Sequence, residues 1–271
     1  MKNFIQKTIA IFVIATITIS CTKNDNEISG TGNLKVQFEN GFANNELILG
    51  SPTVATSKGE VLKISTIKYI VSNIVLYNEN GTTFTYPKAQ SYFIVDEQTA
   101  SSLIINLSNI PAGNYNKIKF GIGVDQAQFN LGASGQGDFW TQAQAAGMDW
   151  SWAAGYKFLR FEGTFTAPNS TTPVTTDTSF MVHTGQTSSD YNYREVTLSL
   201  PTNALVRNNI SPQIHLSTDL SQIIDGTNKI SLADNNSMGM GAMIMGGTVL
   251  SQISDNVINM FAVEHVHNDP N

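Results

Sequence analysis

From Leu34 onward, apolar and polar positions alternate in short runs rich in Val, Ile, Phe, Tyr and Thr, broken by Gly, Asn, Pro and Ser. The pattern is carried by L-K-V-Q-F-E from Leu34, V-L-K-I-S-T-I-K-Y-I-V-S-N-I-V-L-Y from Val61, Y-F-I-V from Tyr92 and Y-N-K-I-K-F-G-I-G-V from Tyr115. Residues two apart share one face of a strand, so such runs bury one face and wet the other. Short strands with frequent turn residues predict an all-β fold, a mostly antiparallel β-sandwich. N-E-N-G-T at Asn78 to Thr82 predicts a hairpin turn, because Gly81 tolerates positive φ after Asn. The period changes from Thr248 to Phe261, where Val249, Ile253, Val257 and Met260 recur at three- and four-residue spacing and predict a short C-terminal amphipathic helix. No repeat interrupts residues 34–271, which read as one domain.

The first twenty residues are of another kind. A basic start, M-K-N-F-I-Q-K, precedes the apolar run T-I-A-I-F-V-I-A-T-I-T-I and Ser20, the pattern of a secretory signal peptide. The apolar run is too short to span a bilayer comfortably. Cys21 follows at once and is the single cysteine, so no intramolecular disulfide forms. Its position resembles the lipid-acceptor cysteine of bacterial lipoproteins, which implies lipidation at Cys21 and an outer-membrane lipoprotein facing the periplasm or the cell surface. Residues 21–33 are polar with nothing to bury and read as a flexible tether.

Charged residues are 13% of the chain and the formal net charge is −6. Without a basic patch, an acidic surface attracts neither nucleic acid nor anionic lipid headgroups. No G-x-S-x-G, H-E-x-x-H, C-x-x-C or phosphate-cradling glycine loop is present, and the chain is read as having no catalysis of its own.

Metal-ligating residue types do occur. His265 and His267, in E-H-V-H-N, would point to one face of a strand and could serve one ion, or simply be solvated in a terminal tail. His183 and His215 lie singly among apolar residues, where a structural role competes with ligation. Met238, Met240, Met243 and Met245 crowd S-M-G-M-G-A-M-I-M-G-G; thioethers suit Cu(I), and equally fill irregular gaps in a core. A helix of about fourteen residues is roughly 21 Å long, which separates these methionines from His265 and His267. Trp150 and Trp152 lie in G-M-D-W-S-W-A-A-G-Y-K-F-L-R-F-E-G, where a regular strand would give one face of Trp150, Trp152, Tyr156 and Phe158 that ends in Arg160 and Glu162. That change suggests a bulge at Gly155 or a segment not yet strand, leaving the tryptophans in the core or lining a pocket.

The ordered set K-Y-x-x-S-N-I at Lys68, G-V-D at Gly123, M-x-W-x-W-x-x-G-Y-K-F at Met148 and F-M-V-H-T-G at Phe180 resembles the MbnP-like copper-binding domain of Bacteroidetes-type surface lipoproteins. The resemblance implies a β-sandwich that binds copper in copper acquisition or homeostasis. It also implies that Trp150 or Trp152 can be oxidised to kynurenine by a diheme cytochrome c peroxidase-like partner, giving an aryl amine beside histidine ligands. His183 would be one ligand and His215, His265 or His267 a second. A competing reading makes the protein a surface glycan- or protein-binding module without metal, with Trp150, Trp152 and Tyr156 as a stacking platform.

Overall fold

A computed structural model describes residues 28–135, 137–150, 153–186, 191–236 and 238–270. The expected signal peptide, Cys21, the first part of the tether and Trp152 lie outside the described residues. The strands are β1 (Thr31–Phe42), β2 (Asn45–Glu46), β3 (Val61–Asn78), β4 (Thr83–Thr85), β5 (Tyr92–Asp96), β6 (Ile104–Pro111) and β7 (Gly113–Ile122). They continue as β8 (Asp149–Trp150), β9 (Ala153–Ala167), β10 (Val174–Gly185), β11 (Arg194–Val206), β12 (Gln213–Asp219), β13 (Ala242–Ile244) and β14 (Phe261–His267). The helices are α1 (Gln126–Phe129), α2 (Gly132–Gly135), α3 (Asp138–Ala145), α4 (Gln222–Asp225) and α5 (Gly247–Val257).

A 5-stranded sheet runs β14-β12-β1-β2 with β6 paired to β1. A 9-stranded sheet runs β11-β7-β3-β9-β10-β13, with β4 and β5 on β3 and β8 on β9. The all-β, sandwich-like fold is the predicted one, but its sheets are mixed: β12 runs parallel to β1 and β13 parallel to β10. Parallel neighbours need a long crossover. Between β1 and β12 most of the second sheet supplies it.

The alternation in β1 sets the layers. Leu34, Val36 and Phe38 are buried between the sheets, while Lys35, Gln37 and Glu39 face outward. Phe38 meets Tyr69 of β3, Phe120 of β7 and Phe261 of β14 in edge-to-face pairs at 5.8, 6.1 and 6.2 Å. One ring thus ties both sheets together. That packing also corrects the predicted helix boundary. α5 stops at Val257, a 3-10 turn covers Ile258–Met260, and Phe261 is extended at the start of β14 with its ring in this aromatic cluster. Gly163 allows β9 to lie against β3, since a Cβ there would come 2.1 Å from the Lys63 carbonyl.

A second, smaller core lies outside the large sheet. Ile70, Val124, Met148, Tyr156 and Phe158 are covered by α3, whose Phe139 and Trp140 rings sit 5.5 and 5.0 Å from Tyr156. This helix is too short for the sequence period to reveal.

The S-N motif of β3 and the G-V-D motif after β7 meet beside it. Asn73, at φ 52, donates to the Asp125 carboxylate at 3.0 Å and to Tyr193 Oη at 2.9 Å, and Ser72 Oγ donates to the Gly123 carbonyl at 2.6 Å. Asp125 also accepts from Lys88 and Tyr92, both at 2.7 Å, and caps α1 through the Gln128 N–H. The S-N and G-V-D motifs therefore form a polar knot that holds β3, β5, α1 and the loop before β5 together.

Candidate metal centre

The Gly147–Gly163 stretch is a hairpin and a long strand, not one strand. β8 pairs back on β9 with Asp149 opposite Tyr156 and Trp150 opposite Ala153. Beyond it, Tyr156 and Phe158 face the second core, and the same face of β9 then continues into Arg160 and Glu162. The aromatic-to-charged change marks where the covering layer ends. Trp150 is buried at 5% exposure, its ring lying against Gly185, where a Cβ would approach the indole to 3.0 Å. Lys157 Nζ stands 5.6 Å from the Trp150 ring centroid. Burial first, then the charge of Arg160, push the Lys157 ammonium below its usual range.

His183 sits on β10 opposite Arg160 of β9. Its ring centroid is 5.8 Å from that of Trp150. Its Nε2 lies 2.6 Å from Glu162 Oε1, and Arg160 grips the same carboxylate through Nε and Nη2 at 2.7 and 2.8 Å. Burial alone would raise the Glu162 carboxyl, but hydrogen bonds from His183 and Arg160 and the Arg160 charge outweigh it and hold it at about 2. Glu162 is therefore an acceptor. His183 Nδ1 is buried and has no hydrogen-bond partner among the described residues. A proton on Nδ1 would be a buried orphan donor, so the tautomer that satisfies the site carries its proton on Nε2 and leaves a bare lone pair on Nδ1. A ring whose outer N–H is fixed by a carboxylate is the arrangement seen in metal-ligating histidines.

The methionines divide. Met243 of β13 pairs in register with Met181 of β10, and Met181 pairs with Glu162 of β9. His183 lies two residues along β10, so Met243, Met181, Glu162 and His183 share one face of the sheet. No local sequence pattern marks Met181, which lies far from the methionine-rich loop and is brought there only by the parallel β10–β13 pairing. Met238 and Met240 are exposed before β13, and Met245 is half-buried just after it.

His215, His265 and His267 come together on the other sheet, with one ring nitrogen from each within 4.8 Å of the others. The four histidines thus form two groups on different sheets, and the trio does not sit beside Trp150. His265 and His267 belong to β14 and are followed by an anchored segment: Asn268 accepts from the Leu205 N–H at 2.7 Å and donates to the Asn203 carbonyl at 3.0 Å. They are not part of a loose tail. The stacking-platform reading meets an obstacle, since Trp150 and Tyr156 are both buried and offer no open aromatic face.

These features define a class, a two-sheet β protein with a buried histidine, held by a carboxylate, beside a buried tryptophan. The MbnP family model matches residues 31–244, and the chain belongs to this family, which is associated with copper binding. Among solved structures, MbnP from Methylosinus trichosporium is similar at 15% identity, over 81% of this chain and 82% of that chain, with a TM-score of 0.47. No curated protein matches the chain in sequence. His265 and His267 lie beyond the matched residues.

Proposed function

We propose that this chain is an extracytoplasmic copper-binding lipoprotein that serves copper acquisition or homeostasis and has no catalysis of its own. The observation that carries the reading is that the buried Nδ1 of His183, a residue beside Trp150, has no hydrogen-bond partner among the described residues. Imidazole nitrogen suits copper, and copper stands at the top of the divalent affinity order at nitrogen sites. Copper, when bound, would supply a redox-active Lewis acid on the outer face of β10. His183 binds it through Nδ1; Glu162 holds the imidazole in the right tautomer and orientation; Arg160 keeps Glu162 ionised. Trp150, once oxidised to kynurenine by a diheme peroxidase-like partner, offers an aryl amine close to the histidine. Lipidation at Cys21 would tether the domain to the outer membrane by residues 21–33.

The test is metal content. Cell-derived protein loaded with micromolar copper and desalted should retain copper, one equivalent of which His183→Ala removes, while Glu162→Gln lowers affinity for that equivalent by about 10–100-fold, the usual effect of losing a partner that orients a ligand. Wild-type protein that retains no copper would end this reading.

A further inference from the structure

We propose that His215, His265 and His267 form a second site, for a divalent first-row transition-metal ion, on the outer face of the 5-stranded sheet. β12 and β14 are antiparallel, with Gln213 opposite His267 and His215 opposite His265. The pleat sends these side chains to one face, which β1 extends with Glu39. The rings of His215 and His265 stack at 4.2 Å, and His267 stands edge-on to both, at 5.1 and 4.6 Å.

The division of nitrogens points to a ligand set. On each ring Nδ1 is the nitrogen beside a carboxylate: Glu39 Oε1 is 2.8 Å from His215, Glu264 Oε2 is 3.8 Å from His265, and Asp269 Oδ2 is 4.0 Å from His267. The Nε2 atoms turn elsewhere. Those of His265 and His267 are 3.0 Å apart, and that of His215 meets the Gln213 amide nitrogen at 3.0 Å. Two nitrogens each about 2.0–2.1 Å from one metal stand about 3 Å apart when cis. The His265–His267 spacing already has that value. The Glu39 carboxylate at hydrogen-bond distance from His215 Nδ1 steers the proton there and leaves Nε2 as a lone pair, the carboxylate–histidine–metal pattern, while Glu264 and Asp269 add nearby negative charge without a hydrogen bond.

The site is built in advance and open. Asn268, next to His267, is fixed to β11 through both its amide atoms. His215 is 12% exposed while His265 and His267 are 43% and 51% exposed, so an ion can reach the three nitrogens and keep a coordination position for water. Three imidazoles select copper(II) first and zinc(II) next. The site shares no residue with the His183 pocket.

The experiment uses the full chain, stripped with chelator, loaded with copper(II) sulfate or zinc sulfate alone, and desalted. Wild type, His265→Ala/His267→Ala, His215→Gln and His183→Ala are compared by metal per chain and by electron paramagnetic resonance of the copper(II) form. The double variant should lose one equivalent of metal and the copper(II) component coupled to several imidazole nitrogens, leaving only the copper held by His183; His215→Gln should weaken binding at the trio at least tenfold; His183→Ala should keep the several-nitrogen component. His265 and His267 are exposed, and an unchanged thermal midpoint checks that the double variant folds. Unchanged metal content and an unchanged copper(II) signal in the double variant would overturn the site, whatever His183→Ala does. Loss of copper in His183→Ala alone reports on the other pocket.

Discussion

Asp125 offers a quantitative test of the polar knot. Replacing it with alanine leaves one N–H of the Asn73 amide, whose other acceptor is Tyr193 Oη, and the Tyr92 hydroxyl without their acceptor and removes the cap of α1. The lost cap costs about 1 kcal/mol. Each partly buried donor left unpaired costs about 1 kcal/mol more, and the exposed Lys88 contact adds only about 0.3 kcal/mol. The expected loss is therefore about 3 kcal/mol, or a fall in melting temperature of about 6–12 °C for a chain of this size. The pH dependence gives an independent check. Burial pushes the Asp125 carboxyl up, but hydrogen bonds from Lys88, Asn73, Tyr92 and the Gln128 N–H outweigh it and hold it well below the usual range. A depressed carboxyl stabilises the fold fully above its unfolded pKa of about 3.9. That contribution is lost as pH falls through this value toward the lower folded one. Between pH 7 and pH 3 the stability gap between wild type and Asp125→Asn should shrink by about 1 kcal/mol. Urea unfolding at both pH values measures it. A gap that stays constant with pH, or a loss below about 1 kcal/mol in Asp125→Ala, would refute the role given to the knot.

The other predictions are shorter. Gly163→Ala pushes a Cβ onto the Lys63 carbonyl and should cost more than about 3 kcal/mol or abolish soluble expression, read by urea unfolding or yield. Phe38→Ala empties the centre of the aromatic cluster and should cost about 3–5 kcal/mol in the same assay. Glu39→Gln removes the carboxylate that orients His215 and should weaken copper(II) at the histidine trio about 10–100-fold in a competition titration, with metal at His183 unchanged.

The alternation of Leu34, Val36 and Phe38 made the β layers legible, and the Asn78–Gly81 turn fell where the Asn-Gly pattern put it, with Gly81 at φ 86. Parallel pairing was not legible, because period two reports which face is buried and not which strand lies alongside. The eight-residue α3 escaped for a related reason: its contacts are with Tyr156, which follows it after a hairpin, and not within its own turns. At the site, residue types were visible and their grouping was not. His265 and His267 announced a shared face by their spacing, but His215 joined them only through the β12–β14 register. Trp150 and His183, 33 positions apart in the chain, are brought near by the β9–β10 pairing and by the turn-back of β8, a relation no local pattern encodes. The motifs S-N and G-V-D, informative for recognition, turned out to hold the scaffold through Asn73 and Asp125.

Copper binding at His183 is tested most directly in a chain whose histidine trio has been removed. In the His265→Ala/His267→Ala background, cell-derived protein should retain one copper per chain after loading with micromolar copper and desalting. Adding His183→Ala should abolish it. Intact mass in the same samples reads whether a tryptophan has been oxidised, and peptide mapping assigns the change to Trp150 or Trp152. Copper that persists at one equivalent without His183, or no copper in the His183-containing background, would contradict the assignment.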